Sequence, residues 1–148
     1  MIIFVDADGC PVVNIAIDVA KEYGIKIIVV KNYAVELDNP YAEIVSVDIS
    51  RDSADYYIAN RINNTDILIT QDYGLAAMGL TKGAYCINQN GYLITDKNIG
   101  DMLTIRHVNA TLRRKKKIYT KFKKRNPEAD GRFEKGLRNL IEHINSLT

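Results

Sequence analysis

The chain has 148 residues, enough for one domain with a sizeable core, and its 47% hydrophobic and 26% charged content is ordinary for a folded globular protein. No apolar run approaches the roughly 20 residues a membrane helix needs, which excludes a spanning segment and argues against a membrane partner. The net charge of +2 conceals a division: residues 1–112 hold 8 Lys/Arg against 14 Asp/Glu, whereas residues 113–148 hold 12 against 4. An acidic body with a basic end predicts cations at one part and polyanions at the other. Cys10 and Cys86 are too few for a disulfide framework. The first apolar run has no basic residues ahead of it and is cut short by Asp6, so it does not read as a secretory signal, and the cytoplasm is the expected compartment.

Ile2 to Val5 is a short, continuous apolar run and predicts a buried strand. It runs straight into Asp6 and Asp8, with Gly9, Cys10 and Pro11 behind them. A helix is predicted from Pro11 to Tyr23, because Val12, Ala16, Val19, Ala20 and Tyr23 share a face; Gly24 stops it. Ile25 to Val30 predicts a second buried strand, residues 32–42 a loop, and Glu43 to Val47 a third strand. Ser50 to Asn64 reads as a helix on the spacing of Ala54, Ile58, Ala59 and Ile62. Asp66 to Thr70 is a fourth strand that leads into Gln71 and Asp72, followed by a helix over Tyr73 to Lys82. Ala84 to Ile87 is a fifth strand, Asn88 to Gly91 a turn, and Tyr92 to Thr95 a short strand or extended segment. Asp96 caps a predicted helix that runs to about Lys117. Asn126-Pro127 marks a break, and a last helix occupies about 131–147. The one biased segment is residues 113–125, where 9 of 13 residues are basic.

Strands alternating with helices predict an α/β fold with a mostly parallel sheet covered on both faces. The all-apolar first strand belongs at its centre, and an order of about 3-2-1-4-5 places a switch point between strands one and four. That crevice is the usual ligand site of such sheets. Asp6, Asp8, Asp52, Asp55 and Asp72 all fall at or just beyond the carboxyl end of a strand. Carboxylates crowded together need neutralising, and a hard divalent cation, Mg²⁺ or Mn²⁺, takes oxygen ligands of this kind. Structural duties compete for some of these positions. Asp52 and Asp66 read well as caps after strands, and Ser53 as a helix cap. Cys10 reads as a packed thiol, and His107 and His143 as surface or helix-packing residues.

Val5-Asp-Ala-Asp-Gly-Cys-Pro11, Asp52-Ser-Ala-Asp55, Asp66-Ile-Leu-Ile-Thr-Gln-Asp72 with Leu75-Ala76, and the Asn88-to-Gly91 turn together resemble the YaiI/YqxD family of uncharacterised bacterial proteins, over roughly residues 2–145. That family is grouped with PIN-like domains, many of them metal-dependent nucleases. The resemblance implies a single PIN-like domain over 1–148, with a three-layer sheet-and-helix architecture. It implies metal-binding acids at Asp6, Asp55 and Asp72, with Asp8 and Asp52 as additional acids. Thr70 matches the threonine of a PIN Thr-x-Asp motif, and Arg106 falls where the family tends to carry an arginine, a residue to touch phosphate or pair with an acid. The implied activity is phosphodiester hydrolysis by Mg²⁺ or Mn²⁺, on RNA ahead of DNA. Asp6, Asp8, Asp55 and Asp72 are its expected catalytic residues. Arg113, Arg114, Lys115 and Lys116 are expected to dock the nucleic-acid backbone. Oligomeric state stays open, a homo-oligomer included.

Two other classes fit parts of the pattern. A non-catalytic nucleic-acid module would use the basic segment with Tyr119 and Phe122 as stacking residues. A haloacid-dehalogenase-like phosphatase would use Asp6 as nucleophile and Asp8 as acid/base. Its signature usually continues with threonine where this chain has Cys10, and Thr70-Gln-Asp72 offers one acid and no obvious lysine.

Overall fold

The computed structural model describes residues 1–34, 36–48, 50, 53–101 and 125–147. Its elements are β1 (Ile2–Asp6), α1 (Val13–Tyr23), β2 (Lys26–Asn32), β3 (Glu43–Val47), α2 (Ser53–Arg61), β4 (Ile67–Ile69), α3 (Tyr73–Thr81), β5 (Tyr85–Ile87), β6 (Leu93–Ile94) and a final helix, here α4 (Pro127–Ser146). The six strands form one sheet in the order β3-β2-β1-β4-β5-β6. Every neighbouring pair is parallel except β5 and β6, which form an antiparallel hairpin. The predicted order is therefore observed, with the Tyr92–Thr95 segment added at the edge as a two-residue strand.

Alternation along each strand sorts the core into two layers. On one face, Ile3, Val5, Ile27, Val29, Ile67 and Ile69 pack with α1 and with Phe133, Leu137, Leu140, Ile141 and Ile144 of α4. On the other face, Phe4, Ile28, Val30, Leu68 and Cys86 pack with Ala54 and Ile58 of α2 and with Leu75 and Ala76 of α3. The result is a three-layer α/β arrangement, and burial of β1 on both faces explains why it reads as unbroken apolar sequence. Among the described residues, no helix is long and apolar enough to cross a membrane.

Several boundaries differ from the sequence reading, three of them for reasons visible in the local hydrogen bonding. Helix α1 begins at Val13, because Pro11 and Val12 belong to the turn that follows β1; there Cys10 N–H donates to Ala7 O and Gly9 has a φ of +69°. Helix α2 ends at Arg61, short of Asn64, because the Asp66 carboxylate takes Asn63 N–H at 2.8 Å and Ile2 N–H at 2.9 Å. Those bonds make Asp66, only 4% exposed, a buried clamp that joins the start of β4 to the start of β1. Helix α4 begins at Pro127 and not near 131: Asn126 Oδ1 caps it through Glu128 N–H, and proline occupies the first turn. Gly131 thus lies inside the helix, where its cost is of order 1 kcal/mol and is outweighed by the burial of Phe133 and Leu137. Of the helix predicted from Asp96 to Lys117, residues 99–101 are helical and the remainder from 102 lies outside the described residues.

Candidate functional site

The parallel strands β1, β2 and β4 end at one edge of the sheet, and the acids follow from that register. Val5 of β1 sits opposite Val29 and Ile69, so the residues after it emerge beside the ends of β2 and β4. Asp6 closes β1 and faces the layer of α2 and α3, the side opposite Val5. Thr70, 1% exposed, follows β4 on that same side and donates from Oγ1 to Asp6 Oδ2 at 2.9 Å. Asp72 N–H donates in turn to Thr70 Oγ1 at 2.9 Å. One hydroxyl thereby links the first acid to the loop that carries the second.

Asp72 is the N-cap of α3, its Oδ1 accepting from Gly74 N–H at 2.9 Å and Leu75 N–H at 3.2 Å. Asp55 stands in the first turn of α2. Asp8 is exposed, and its Oδ1 accepts from both the backbone N–H and the side-chain Nδ2 of Asn32 at 3.1 Å, which ties the loop after β1 to the end of β2. The charges of Asp55, Asp72 and Asp8 all act on Asp6. Burial first, and then these three like charges, push the Asp6 carboxyl from its ordinary 3.8 to about 6, against the lowering effect of the Thr70 hydrogen bond. Four of the five predicted acids, Asp6, Asp8, Asp55 and Asp72, are therefore near enough to interact electrostatically, and Asp52 lies outside the described residues.

Among the described residues, no three aspartate, glutamate, histidine or cysteine side chains converge as a ready-made metal-binding group. Asp52, Arg106, Arg113, Arg114, Lys115 and Lys116 lie outside the described residues, as do His107, Tyr119 and Phe122. His143 stands edge-on to Tyr85 at 6.5 Å, at the start of β5 and so at the opposite edge of the sheet from the acids. Cys10 is half-buried against the core, and burial pushes its thiol pKa up, which favours the neutral, packed form over a nucleophile.

The sequence reading missed several residues at this edge. Gln71, between Thr70 and Asp72, reaches across to donate from Nε2 to Gly9 O at 2.9 Å. Asn32 as the partner of Asp8 was hidden because the two stand 24 positions apart. A cleft of about 630 Å³ opens where the loops after β1 and β4 meet the β5–β6 hairpin and the start of α4, lined by residues that include Gly9, Gln71, Asn90, Tyr92, Arg125 and Arg132. The sequence reading marked the Asn88-to-Gly91 turn and counted Arg125 in the basic segment, but brought neither to this edge; Arg125 and Arg132 reach the cleft with α4.

A family model described as an uncharacterised bacterial family, YaiI/YqxD, matches residues 4–143. The chain is 50% identical to a UPF0178 protein of Alkaliphilus oremlandii over 142 residues, 96% of this chain and 92% of the relative. It is 43% identical to a UPF0178 protein of Natranaerobius thermophilus, with 99% of both chains covered. It is 44% identical to one of Ruminiclostridium cellulolyticum over 93% of this chain and 90% of the relative. No solved structure matches the chain.

Proposed function

The chain belongs to the YaiI/YqxD family, and on that premise we propose that it is a divalent-metal-dependent nuclease, acting on RNA ahead of DNA at the acidic edge of a PIN-like fold. The observation that carries the reading is Asp6. A half-buried carboxylate burdened by three neighbouring aspartates weakens the fold unless something positive neutralises it. A cation supplies that charge. The donors are carboxylate and hydroxyl oxygens, which suit Mg²⁺ or Mn²⁺. Mg²⁺ is commonly held by one or two carboxylates and keeps several waters, so a closed cage of three ligands is not required.

Asp6 and Asp72 are the acids to hold the ion, with Asp55 beside them and Asp52 and Asp8 as the further acids of the set. Such an ion, when bound, activates water and stabilises charge on the phosphoryl oxygens of an in-line displacement. The chain's own residues do the positioning. Thr70 fixes the Asp6 carboxylate and holds the Asp72 backbone through the same hydroxyl. The cap at α3 leaves Asp72 Oδ1 engaged and fixes the orientation of its carboxylate. Asp8 keeps Asn32 and the end of β2 in register with the loop after β1.

The phosphatase reading asks for a lysine beside the acid pair. Among the described residues, the charged groups that act on Asp6 are three aspartates, which weighs toward a metal ligand and away from an aspartyl nucleophile. The test is cleavage of an end-labelled RNA in Mn²⁺ or Mg²⁺. Asp6→Asn and Asp72→Asn are each expected to lower the rate by at least about 10²-fold, the scale of losing an electrostatic catalytic group, while RNA binding persists. Cleavage that survives both substitutions, or that proceeds unchanged in EDTA, overturns the assignment.

A further inference from the structure

The cleft between the β5–β6 hairpin, the start of α4 and the loops after β1 and β4 has the size of a ligand site. Its volume of about 630 Å³ is within the range of small-molecule sites. Its walls are held rigidly. A Cβ on Gly91 would lie 2.4 Å from Arg132 O, and one on Gly136 would lie 2.6 Å from Gly91 O, so the tip of the β5–β6 hairpin is pressed directly onto the backbone of α4. Asn88, buried, fixes the same hairpin by accepting from Asn90 N–H and Tyr92 N–H. Arg125 then ties the hairpin to the start of α4: Nε pairs with Asp130 at 2.8 Å, one terminal nitrogen donates to Gln89 O at 2.7 Å, and the other to Asn90 Oδ1 at 3.3 Å.

What this frame presents is specific. Tyr92 is 59% exposed although its backbone is pinned on both sides. Asn90 Oδ1 accepts from Arg125, which leaves Nδ2 as a donor; Gln71 Nε2 donates to Gly9 O, which leaves Oε1 as an acceptor. Among the described residues neither remaining group has a partner. Arg132 meets Glu128 only at 3.8 Å, and its side chain stays half exposed. An aromatic face, one amide donor, one amide acceptor and a guanidinium in a single rigid cleft match a planar heterocycle that carries a phosphate.

We propose that this cleft binds one nucleotide of a single strand, its base on Tyr92 and against the amides of Gln71 and Asn90, its phosphate on Arg132. Reading a base by its face and its edge at once requires that the base be unstacked, which a single strand permits and a duplex resists. The cleft meets the acids through Gly9, next to Asp8, and Gln71, between Thr70 and Asp72. In a reaction at the acids it would hold a nucleotide on the strand that flanks the reacting phosphate. The subsite rests on the nuclease reading for that role in a reaction, but its binding does not depend on metal or on cleavage.

The experiment is calorimetric titration of the whole protein in EDTA with the four nucleoside 5′-monophosphates, and with ribose 5-phosphate as the probe without a base. At least one monophosphate is expected to bind on the order of tenfold tighter than ribose 5-phosphate, the scale of one base stacked on an aromatic ring. Tyr92→Ala is expected to abolish that difference, and Arg132→Gln to weaken both probes together. Both side chains are exposed, so neither change threatens the fold. Equal affinity for all five probes, or a base preference that survives Tyr92→Ala, overturns the subsite. If the monophosphates bind as expected while RNA is never cleaved, the nuclease reading falls and the subsite stands. If cleavage depends on Asp6 while the monophosphates do not bind, the subsite alone falls.

Discussion

Asp6 is held in a state that costs stability, and the sign of that cost can be measured. Its carboxyl titrates near 6 in the folded protein and near 3.8 when free of its neighbours. Between those values the folded chain holds its proton more tightly than the unfolded chain does. Stability is therefore fully present below about pH 4 and falls as pH rises through about 6, by about 3 kcal/mol for a shift of this size. Asp6→Asn removes the charge, keeps the shape and can still accept from Thr70. In EDTA the variant should exceed the wild type in urea unfolding by up to about 3 kcal/mol above pH 7, with the difference gone near pH 4. Adding Mg²⁺ should raise the stability of the wild type and leave the variant nearly unmoved. A variant less stable than the wild type at high pH would show that the aspartates do not repel as argued. A gain in stability together with a loss of chemistry is the expected signature of a functional acid.

Helix α3 makes a separable demand on its first acid. Asp72 serves as N-cap through Oδ1 whatever else its carboxylate does. Asparagine caps as well as aspartate, whereas alanine cannot accept. Asp72→Asn is thus expected to keep the melting temperature within about a degree or two and to lose cleavage, and Asp72→Ala to lose cleavage and about 1 kcal/mol of stability besides. If both variants melt alike, the cap carries no weight. The same double duty explains what could and could not be read in advance. Strands β1 to β5 and their order were legible because a doubly covered parallel sheet writes itself as apolar runs, and the acids were legible because they end those runs. The start of α4 was not, because Gly131 reads as a breaker and its compensation by Phe133 and Leu137 is tertiary. Nor were the jobs of Asp8 and Asp66, since a carboxylate clamp on a backbone N–H of another strand, as at Asn32 and Ile2, leaves no pattern in its own neighbourhood. The cleft was hidden for a related reason: its arginines come from the far end of the chain, and a pair of glycines, Gly91 and Gly136, brings them in by letting two backbones touch.

Charge is divided along the chain as sharply as chemistry is. The acidic body gathers four described aspartates at one sheet edge, a field that repels a polyanion as surely as it attracts a cation. A nucleic acid that is to reach this edge needs compensating positive charge, and residues 113–125 hold 9 basic residues of 13. Neutralising phosphates with such a run releases condensed counterions, so affinity for a single strand falls with salt at a slope of about 0.7 per neutralised phosphate on logarithmic axes. Replacing Arg113, Arg114, Lys115, Lys116 and Lys117 by glutamine should therefore flatten that slope by roughly 0.7 for each phosphate left without its cation. It should weaken binding at low salt far more than at high salt. The base preference of the Tyr92 cleft should persist, because it depends on stacking and on the amides, not on the backbone. Fluorescence anisotropy of a labelled RNA across a salt series measures both quantities at once. A slope unchanged by the five substitutions would assign the docking to other cations, and Arg125 and Arg132, already at the cleft, would be the first to test.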